Sequence, residues 1–335
     1  MAARRGDTLL FPTPPIVAAH AAIGGKKEGE GPLAACFDAL SADNFFGQSS
    51  WEAAEKELAL QTARLCLKKA QTTPEKVSLV LAGDLQAQCT ASSYAMRELG
   101  IPFAGLFGAC STMAEALGLG AALCSAGMAD GLLAMTSSHF CAAERQFRTP
   151  LSYGAVRTPT AQWTATAAGA CLLRPAGEGV QLCAVTFGRV QDYKIKDINN
   201  MGAAMMPAAA STLLRYFSAT GTSPQDFDAI FTGDLGEVGT ALLHEQMAKE
   251  GLPLDNHKDC GCLLYDTNSQ NVQAGGSGAG CSAAVLCGKI LPMLAAGQLR
   301  RVLFLATGAL MSQTTFLQGE SIPGIAHCVE LGGAV

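Results

Sequence analysis

A cysteine and a serine stand side by side at the end of a turn of small residues, Gly108-Ala109-Cys110-Ser111. Residues 117–123 are small and apolar, which predicts a helix that is packed on every side. The first amides of a helix have no partner within it, and the helix dipole is positive at that end. Such a position lowers the pKa of a thiol and attracts carboxylates. Cys110 is therefore predicted to be a nucleophile or part of an anion-binding turn, with an inert buried thiol as the alternative.

The composition predicts a compact protein with a large core, because 49% of the 335 residues are hydrophobic and 15% are charged. The net charge of −5 argues against a nucleic-acid partner, which would require a basic surface. Thirteen cysteines without paired spacing, and no signal peptide, indicate a reducing compartment. Cys260-Gly261-Cys262 has no second pair to complete a zinc site, so no metal or cofactor is predicted. The sequence contains no run of 18 apolar residues, so no membrane-spanning helix is predicted.

Two sequence landmarks occur twice and in the same order, which indicates an internal duplication. The first is a turn and a buried strand that end in Gly-Asp-Leu, at residues 73–85 and again at 223–235, with Asp84 and Asp234 in equivalent positions. The second is a Cys-Ser pair before a helix and a strand, at Cys110 and again at Cys281. In both copies the same number of residues separates this cysteine from a threonine at the end of the next strand.

The apolar runs 79–82 and 302–306 predict strands that are buried on both faces, as in parallel α/β sheets. Helical spacing predicts a helix over residues 50–70, capped by Ser49 or Ser50, with Glu52 and Glu55 near its positive end. We therefore predict an α/β fold of two duplicated halves, residues 1–170 and 171–335, with layered sheets around buried central helices. Ligands of open α/β sheets bind beyond the carboxyl ends of the strands, so the site is expected where the halves meet.

This pattern, with the cysteine of the first half opening a buried helix, resembles the thiolase superfamily and its ketoacyl synthase III branch. A closer resemblance is to the stage V sporulation protein AD family, which are thiolase-fold proteins of spore-forming Firmicutes. The stretches that carry it are residues 81–85 (LAGDL), 107–112 (FGACST), 136–139 (TSSH), 143–148 (AERQFR), 232–235 (TGDL), 274–278 (AGGSG) and 306–310 (ATGAL).

The resemblance implies a non-catalytic protein that binds dipicolinic acid and serves its uptake into the developing spore. It implies membrane proteins of the same sporulation operon as partners, and a place on the inner spore membrane that depends on those partners. It also implies a homodimer, because thiolase-like proteins commonly dimerise through the strand that follows the nucleophile turn.

The groups that a condensing enzyme uses beside its cysteine are missing from their expected places. The synthase histidine would follow the strand at residues 229–232, where Asp234 stands, and the synthase asparagine would lie in the glycine-rich turn 275–280. The second cysteine of thiolases has no counterpart in residues 307–310. An aspartate adds negative charge where negative charge develops during acyl transfer, so condensation is disfavoured. The alternative is a degenerate acyltransferase or ketoacyl synthase III-like enzyme that uses Cys110 as acyl nucleophile.

Dipicolinate is a planar dianion and requires donors for two carboxylates. We predict that the helix-start amides at Cys110 and Ser111 bind one of them. His139, just past a strand end, is predicted to donate to the ligand or face its ring, with a structural role as the alternative. Of the two arginines that follow, Arg148 is predicted to bind the ligand and Arg145 to serve the structure.

Asp234 is also a candidate site residue, with three roles left open. It can hold calcium, which prefers oxygen ligands, orient His139, or cap a helix. One of the two arginines can pair with Glu144. His244 is placed in a helical run and His257 in a polar loop, and neither is given a function.

Overall fold

The computed structural model describes residues 2–147 and 156–334. Its strands are β1 (Ala3–Arg5), β2 (Thr8–Leu10), β3 (Ile16–Gly24), β4 (Ala39–Leu40), β5 (Leu79–Gly83), β6 (Phe103–Gly105), β7 (Leu132–Ser138), β8 (Trp163–Thr164), β9 (Ala167–Arg174), β10 (Val180–Thr186), β11 (Ala229–Thr232), β12 (His257–Asp259), β13 (Gly276–Ser277), β14 (Arg301–Ala309) and β15 (Gly324–Ala334). Its α-helices are α1 (Trp51–Lys69), α2 (Thr90–Leu99), α3 (Thr112–Ser125), α4 (Phe140–Glu144), α5 (Met201–Thr220), α6 (Gly236–Lys249), α7 (Cys260–Leu264), α8 (Ala279–Val285), α9 (Leu291–Ala295) and α10 (Gln313–Leu317).

The strand order repeats in mirror image about the centre of the sheet. The main path runs β12-β11-β14-β15-β10-β3-β9-β7-β5-β6. On both sides of the centre two antiparallel pairings are followed by two parallel ones, β3-β9-β7-β5-β6 in the first half and β10-β15-β14-β11-β12 in the second. β3 and β10 join the halves through two residue pairs. The predicted duplication is confirmed, although the predicted division at residue 170 falls inside β9.

Alternate side chains of the first-half strands pack on opposite layers of helices. Val80 and Leu133 belong to the cluster formed with α1 and α2, whereas Leu81 and Leu132 belong to the cluster formed with α3 and α8. Because a strand exposes its side chains alternately on its two faces, both faces of this half-sheet are covered by helices.

The second half repeats this arrangement and completes five layers. Ile230 and Leu303 pack with α5 and α6, whereas Phe231 and Phe304 pack inwards with α3 and α8. The two central helices therefore lie between two half-sheets, as predicted. All four of these side chains are at most 2% exposed, and truncating a buried phenylalanine to alanine costs about 3–5 kcal/mol.

The central helices approach the strands closely because their contact positions are small. A Cβ on Gly280 of α8 would lie 2.0 Å from the carbonyl oxygen of Ala167 in β9, and a Cβ on Gly120 of α3 would lie 2.6 Å from Leu173. One turn of π-helix, Leu286–Ile290, joins α8 to α9 in one continuous helix. Such turns often occur near functional sites.

Three local predictions have clear outcomes. The helix predicted over residues 50–70 is α1, and the Ser50 hydroxyl accepts a hydrogen bond from the amide of Ala53 at 3.3 Å. Glu55 does not face solvent near the helix start, because it is fully buried and bonded to Gln86 and Ser137. His257 begins β12 at the sheet edge and is not in a loop.

The route implied for dimerisation is wrong. The strand after the Cys110 turn is β7, and both of its edges are already paired, with β5 and β9. A second subunit therefore cannot extend the sheet at β7. The strand at that end of the path is β6, which precedes the turn. Across residues 2–147 and 156–334, no helix combines the length and the apolar character needed to cross a bilayer.

Candidate functional site

Cys110 lies in a strained turn between β6 and α3. A short 3₁₀ turn, Ala109–Ser111, leads directly into α3, and Ala109 adopts a left-handed conformation with φ of 51°. That conformation costs a residue with a side chain roughly 1–2 kcal/mol. Gly308 of β14 lies against the turn, since a Cβ there would come within 2.4 Å of the Gly108 carbonyl oxygen. The turn is therefore held in place by the opposite half of the protein.

Ser111 supports this turn and has no donor left for a ligand. Its hydroxyl donates to the carbonyl oxygen of Gly108 at 2.7 Å, and its amide donates to the same oxygen at 3.0 Å. The side chain is fully buried. The turn itself satisfies the Ser111 amide, and a contact between Ser111 and a ligand stays a prediction.

Asp234 joins the second half of the protein to Cys110. It follows β11 and is fully buried. One carboxylate oxygen accepts from the Thr307 hydroxyl at 2.7 Å, and the other accepts from the Ser277 hydroxyl at 2.8 Å and the Gly278 amide at 3.0 Å. The thiol of Cys110 lies close enough to this carboxylate to feel its negative charge. The structure thus brings together the first-half cysteine and the two second-half loops that the sequence singled out.

The electrostatics of the pair differ from the prediction for a helix-start thiol. Burial, followed by the negative charge of Asp234, raises the pKa of Cys110 well above its ordinary value. Burial also raises the pKa of Asp234 to about 6, although the donors around it, Thr307 first, act in the opposite direction. Cys110 is therefore a neutral thiol at neutral pH, because burial and a carboxylate outweigh the helix dipole.

The contacts of Asp234 decide among its three predicted roles. Both carboxylate oxygens receive hydrogen bonds from protein donors, which leaves calcium without a prepared ligand. In the part of the chain that the structure describes, no three His, Cys, Asp or Glu side chains form a metal cluster. Asp234 does not orient His139 either, since that ring bonds elsewhere. Its bond to the amide of Gly278, just before α8, is closest to the capping role.

His139 has a structural role. Its Nε2 donates to the carbonyl oxygen of Asn44 at 2.8 Å, and its Nδ1 accepts from the amide of Ala142 at 3.4 Å as the N-cap of α4. It is 2% exposed, and burial lowers its pKa. Both ring nitrogens are engaged, which supports the structural alternative, and a contact between His139 and a ligand stays a prediction.

The structure describes one of the two predicted arginines and adds a third near the site. Arg145 pairs with Glu52 at 3.2 Å on the surface, in keeping with the structural role predicted for it. Glu144 is buried and pairs with Arg157 at 2.5 Å, a residue that the sequence analysis did not single out. Arg148 lies outside the described residues, so its role in ligand binding stays a prediction.

Arg157 lies against an aromatic stack and beside Gln162. Its guanidinium lies 5.1 Å from the Phe140 ring and 4.8 Å from the Trp163 ring, and the two rings stack at 4.0 Å. It also donates to the carbonyl oxygen of Gln162 at 2.6 Å. No local pattern identifies this arginine, because its partners are brought to it by β8.

A small cavity adjoins Ser277 on the side away from the core. Its volume is about 20 Å³, which is room for about one water-sized group. It is lined by Phe147, Gln162, Thr164, Ile198, Asn199, Met201 and Ser277. α5, a 20-residue helix, begins at Met201, so the positive end of its dipole faces this cavity.

Gln162 links the loop of Asp234 to the glycine-rich turn. Its Nε2 donates to the carbonyl oxygens of Asp234 at 2.7 Å and of Gly276 at 2.8 Å. Ser277 and Thr307 lie within motifs that the sequence analysis quoted, but Gln162 stands in no recognisable pattern. Its importance follows only from the pairing of β8 with β13.

The layered, duplicated architecture with a cysteine before a central helix is a thiolase-like fold. The chain is similar to the 3-oxoacyl-[acyl-carrier-protein] synthase III of Aquifex aeolicus VF5, at 12% identity and a TM-score of 0.58, over 95% of this chain and 99% of that one. It is also similar to cerulenin-bound OleA of Xanthomonas campestris, at 16% identity and a TM-score of 0.60, over 98% of this chain and 99% of that one. These likenesses show the fold alone.

The chain belongs to the stage V sporulation protein AD family, whose model matches residues 5–332. It is 41% identical over 332 residues to the stage V sporulation protein AD of Bacillus subtilis strain 168, covering 98% of both chains.

Proposed function

We propose that this protein binds dipicolinic acid without catalysing a reaction and serves its uptake into the developing spore. Membership of the stage V sporulation protein AD family supports a role in sporulation. The site supports the absence of catalysis. The observation that carries the proposal is the buried position of Cys110 near the Asp234 carboxylate, since burial and this charge keep the thiol neutral and a carboxylate stands at the reacting position.

An acyl-transfer site requires the opposite arrangement. The nucleophile has to become a thiolate, and donors have to face the oxygen on which negative charge develops. Here the donors of Ser277, Gly278 and Thr307 all point at Asp234, so the carboxylate already occupies them. The cluster is a stable, satisfied arrangement that positions the loops around it.

The mouth of the site has the features that a flat carboxylate ligand requires. Phe147, Ile198 and Met201 supply apolar walls for a ring. The start of α5 supplies positive potential, to which we expect the positive charge of Arg148 to add. The cavity accommodates only the tip of a ligand, so the ring lies farther out, between these apolar walls.

In the spore, the same pose presents the ligand to the membrane proteins of the sporulation operon, which we propose as partners. The protein would then be peripheral on the inner spore membrane through those partners, and a homodimer. Dipicolinate content of spores, compared between strains that carry wild-type protein and a binding-deficient variant, tests this part.

Binding is tested by calorimetric titration with dipicolinate, its calcium chelate and acetyl-CoA. We expect saturable binding of dipicolinate and none of acetyl-CoA. Loss of one charge-assisted contact costs about 1.5–3 kcal/mol, so Arg148→Ala should weaken dipicolinate roughly ten- to a hundredfold. The same change should weaken picolinate, which has one carboxylate, by less.

Arg145→Ala is the matched control, because Arg145 pairs with Glu52 and is half-exposed. It should leave dipicolinate affinity unchanged and cost at most about 1 kcal/mol of stability. Equal loss of both ligands in the two variants would show that the arginines act through the fold. Unchanged affinity in Cys110→Ala and Arg148→Ala together would place the ligand elsewhere.

A further inference from the structure

Three polar side chains on one side of the small cavity, those of Gln162, Ser277 and Thr164, have already used their hydrogen-bond donors on the protein. The Gln162 amide has both N–H groups committed to carbonyl oxygens, and its orientation is fixed because a flip would set oxygen against oxygen. Its Oε1 is buried and finds no hydrogen-bond partner among the described residues. Gln162 therefore offers only an acceptor to a ligand.

The two hydroxyls that line the cavity have also donated their protons to other groups of the protein. Ser277 donates its only proton to Asp234 at 2.8 Å. Thr164 donates its only proton to Glu144 at 3.2 Å. Each hydroxyl keeps free lone pairs and has no proton left to give. A buried carboxylate behind each of them fixes this polarity, since a carboxylate that is ionised can only accept.

On the side of the cavity formed by Gln162, Ser277 and Thr164, a ligand carboxylate meets three acceptors, so its oxygens there would be desolvated without compensation. A carboxylic acid O–H in the same place finds hydrogen-bond partners. We propose that dipicolinate binds as a monoanion, with its protonated carboxyl inserted among Gln162, Ser277 and Thr164 and its ionised carboxylate facing the mouth. This inference rests on the proposed function and specifies the form of the ligand.

The cavity volume of about 20 Å³ fits this assignment, because an O–H group is about the size of the single water that such a space holds. The proton comes from solvent, so binding at neutral pH takes up about one proton per ligand. The charged and titratable groups around the cavity are Asp234 after β11, Glu144 of α4, Cys110 before α3, Arg157 before β8 and Lys27 over the Trp163 ring.

This binding mode distinguishes dipicolinate from its calcium chelate by affinity. Both carboxylates of the chelate are held by the metal, so neither can carry the proton that the cavity requires. We therefore expect the chelate to bind more weakly than the free ligand, even though it is closer to neutral. This order is opposite to that of a site built on calcium coordination.

The test compares dipicolinate with its monoamide, 6-carbamoylpyridine-2-carboxylate, by calorimetry on the full-length protein. The amide carries its own N–H donors and needs no added proton. Dipicolinate affinity should fall about tenfold per pH unit from about pH 6 to about pH 8, with about one proton taken up in buffers of different ionisation enthalpy. Monoamide affinity should stay level over that range and exceed that of dipicolinate at the upper end.

The Asp234→Asn variant shows whether the proton belongs to the ligand, since Asp234 itself titrates near this range. The pH dependence of dipicolinate affinity should persist in Asp234→Asn. A second variant, Gln162→Leu, should weaken monoamide binding by about tenfold, because one hydrogen bond is lost. Dipicolinate that binds without proton uptake, with a monoamide that binds far more weakly, would overturn the inference and leave the proposed function standing. Binding of neither compound would overturn the proposed function.

Discussion

The carboxylate of Asp234 acts electrostatically on the thiol of Cys110, although the two residues belong to different halves of the duplicated chain. The equivalent aspartate of the first half, Asp84, instead accepts from the amide of Gln86 and the amide and hydroxyl of Ser92. The duplication has therefore kept the two acids in equivalent places while giving them different partners. Only the second-half acid controls the cysteine.

The rate at which Cys110 reacts with an alkylating agent measures the effect of Asp234 on its thiol. Asp234→Asn removes the neighbouring charge and should lower the pKa of Cys110, since one adjacent charge shifts a pKa by about 1–3 units. Alkylation of Cys110 by iodoacetamide at neutral pH should then become at least about tenfold faster, as followed by peptide mass spectrometry. Asp84→Asn is the control and should leave this rate unchanged. Equal rates in the wild type and Asp234→Asn would mean that the carboxylate does not govern the thiol.

Condensation activity should be absent from the wild-type protein. No thiolate is available at Cys110, and Asp234 stands where an electrophile would be needed. Incubation with acetyl-CoA and a malonyl carrier protein should give no ketoacyl product. Product formation that disappears in Cys110→Ala would instead establish the acyltransferase alternative.

Gly308 should be essential for the position of the Cys110 turn. A Cβ at Gly308 would meet the backbone of Gly108 at 2.4 Å, and backbone cannot move aside easily. Gly308→Ala should therefore destabilise the protein by about 1–3 kcal/mol and weaken dipicolinate. In Gly333→Ala the new Cβ meets nothing closer than 3.7 Å, so its stability should stay within about 0.5 kcal/mol of the wild type in urea unfolding. Similar losses in both variants would contradict this explanation.

Glu55 should make the protein less stable as the pH rises. Burial and the nearby charge of Asp84 raise the pKa of Glu55 from 4.5 to about 8. Because the pKa is raised on folding, the stabilising effect of the bound proton is complete below about pH 4.5 and is lost as the pH rises through about 8. Glu55→Gln mimics the protonated form, because its carbonyl oxygen can accept from Gln86 while its NH₂ group donates to a reoriented Ser137 hydroxyl, so it should reduce this decline.

The measurement is urea unfolding between about pH 5 and about pH 8.5. Glu57→Gln is the control, because Glu57 lies on the same helix in contact with Lys56 near the surface. Its stability profile should follow that of the wild type. A Glu55→Gln profile parallel to the wild type would show that Glu55 does not carry the proton.

Much of the framework could be predicted from the sequence because the information is local and repeated. Apolar runs define β5, β11 and β14, helical spacing defines α1, and the repeated Cys-Ser and Gly-Asp-Leu segments define two halves with the same strand order. The strand ends also place Cys110 and Asp234 at one crevice, since parallel strands end on the same side of a sheet.

The partners of the polar groups were decided only by tertiary structure. Arg157 pairs with Glu144, His139 bonds to Asn44, and Gln162 bridges two loops because strands and helices distant in sequence come together there. The pKa of Cys110 shows the physical reason. A helix start alone favours a thiolate, but burial and the carboxylate of Asp234 depend on how the two halves pack, and together they keep the thiol protonated.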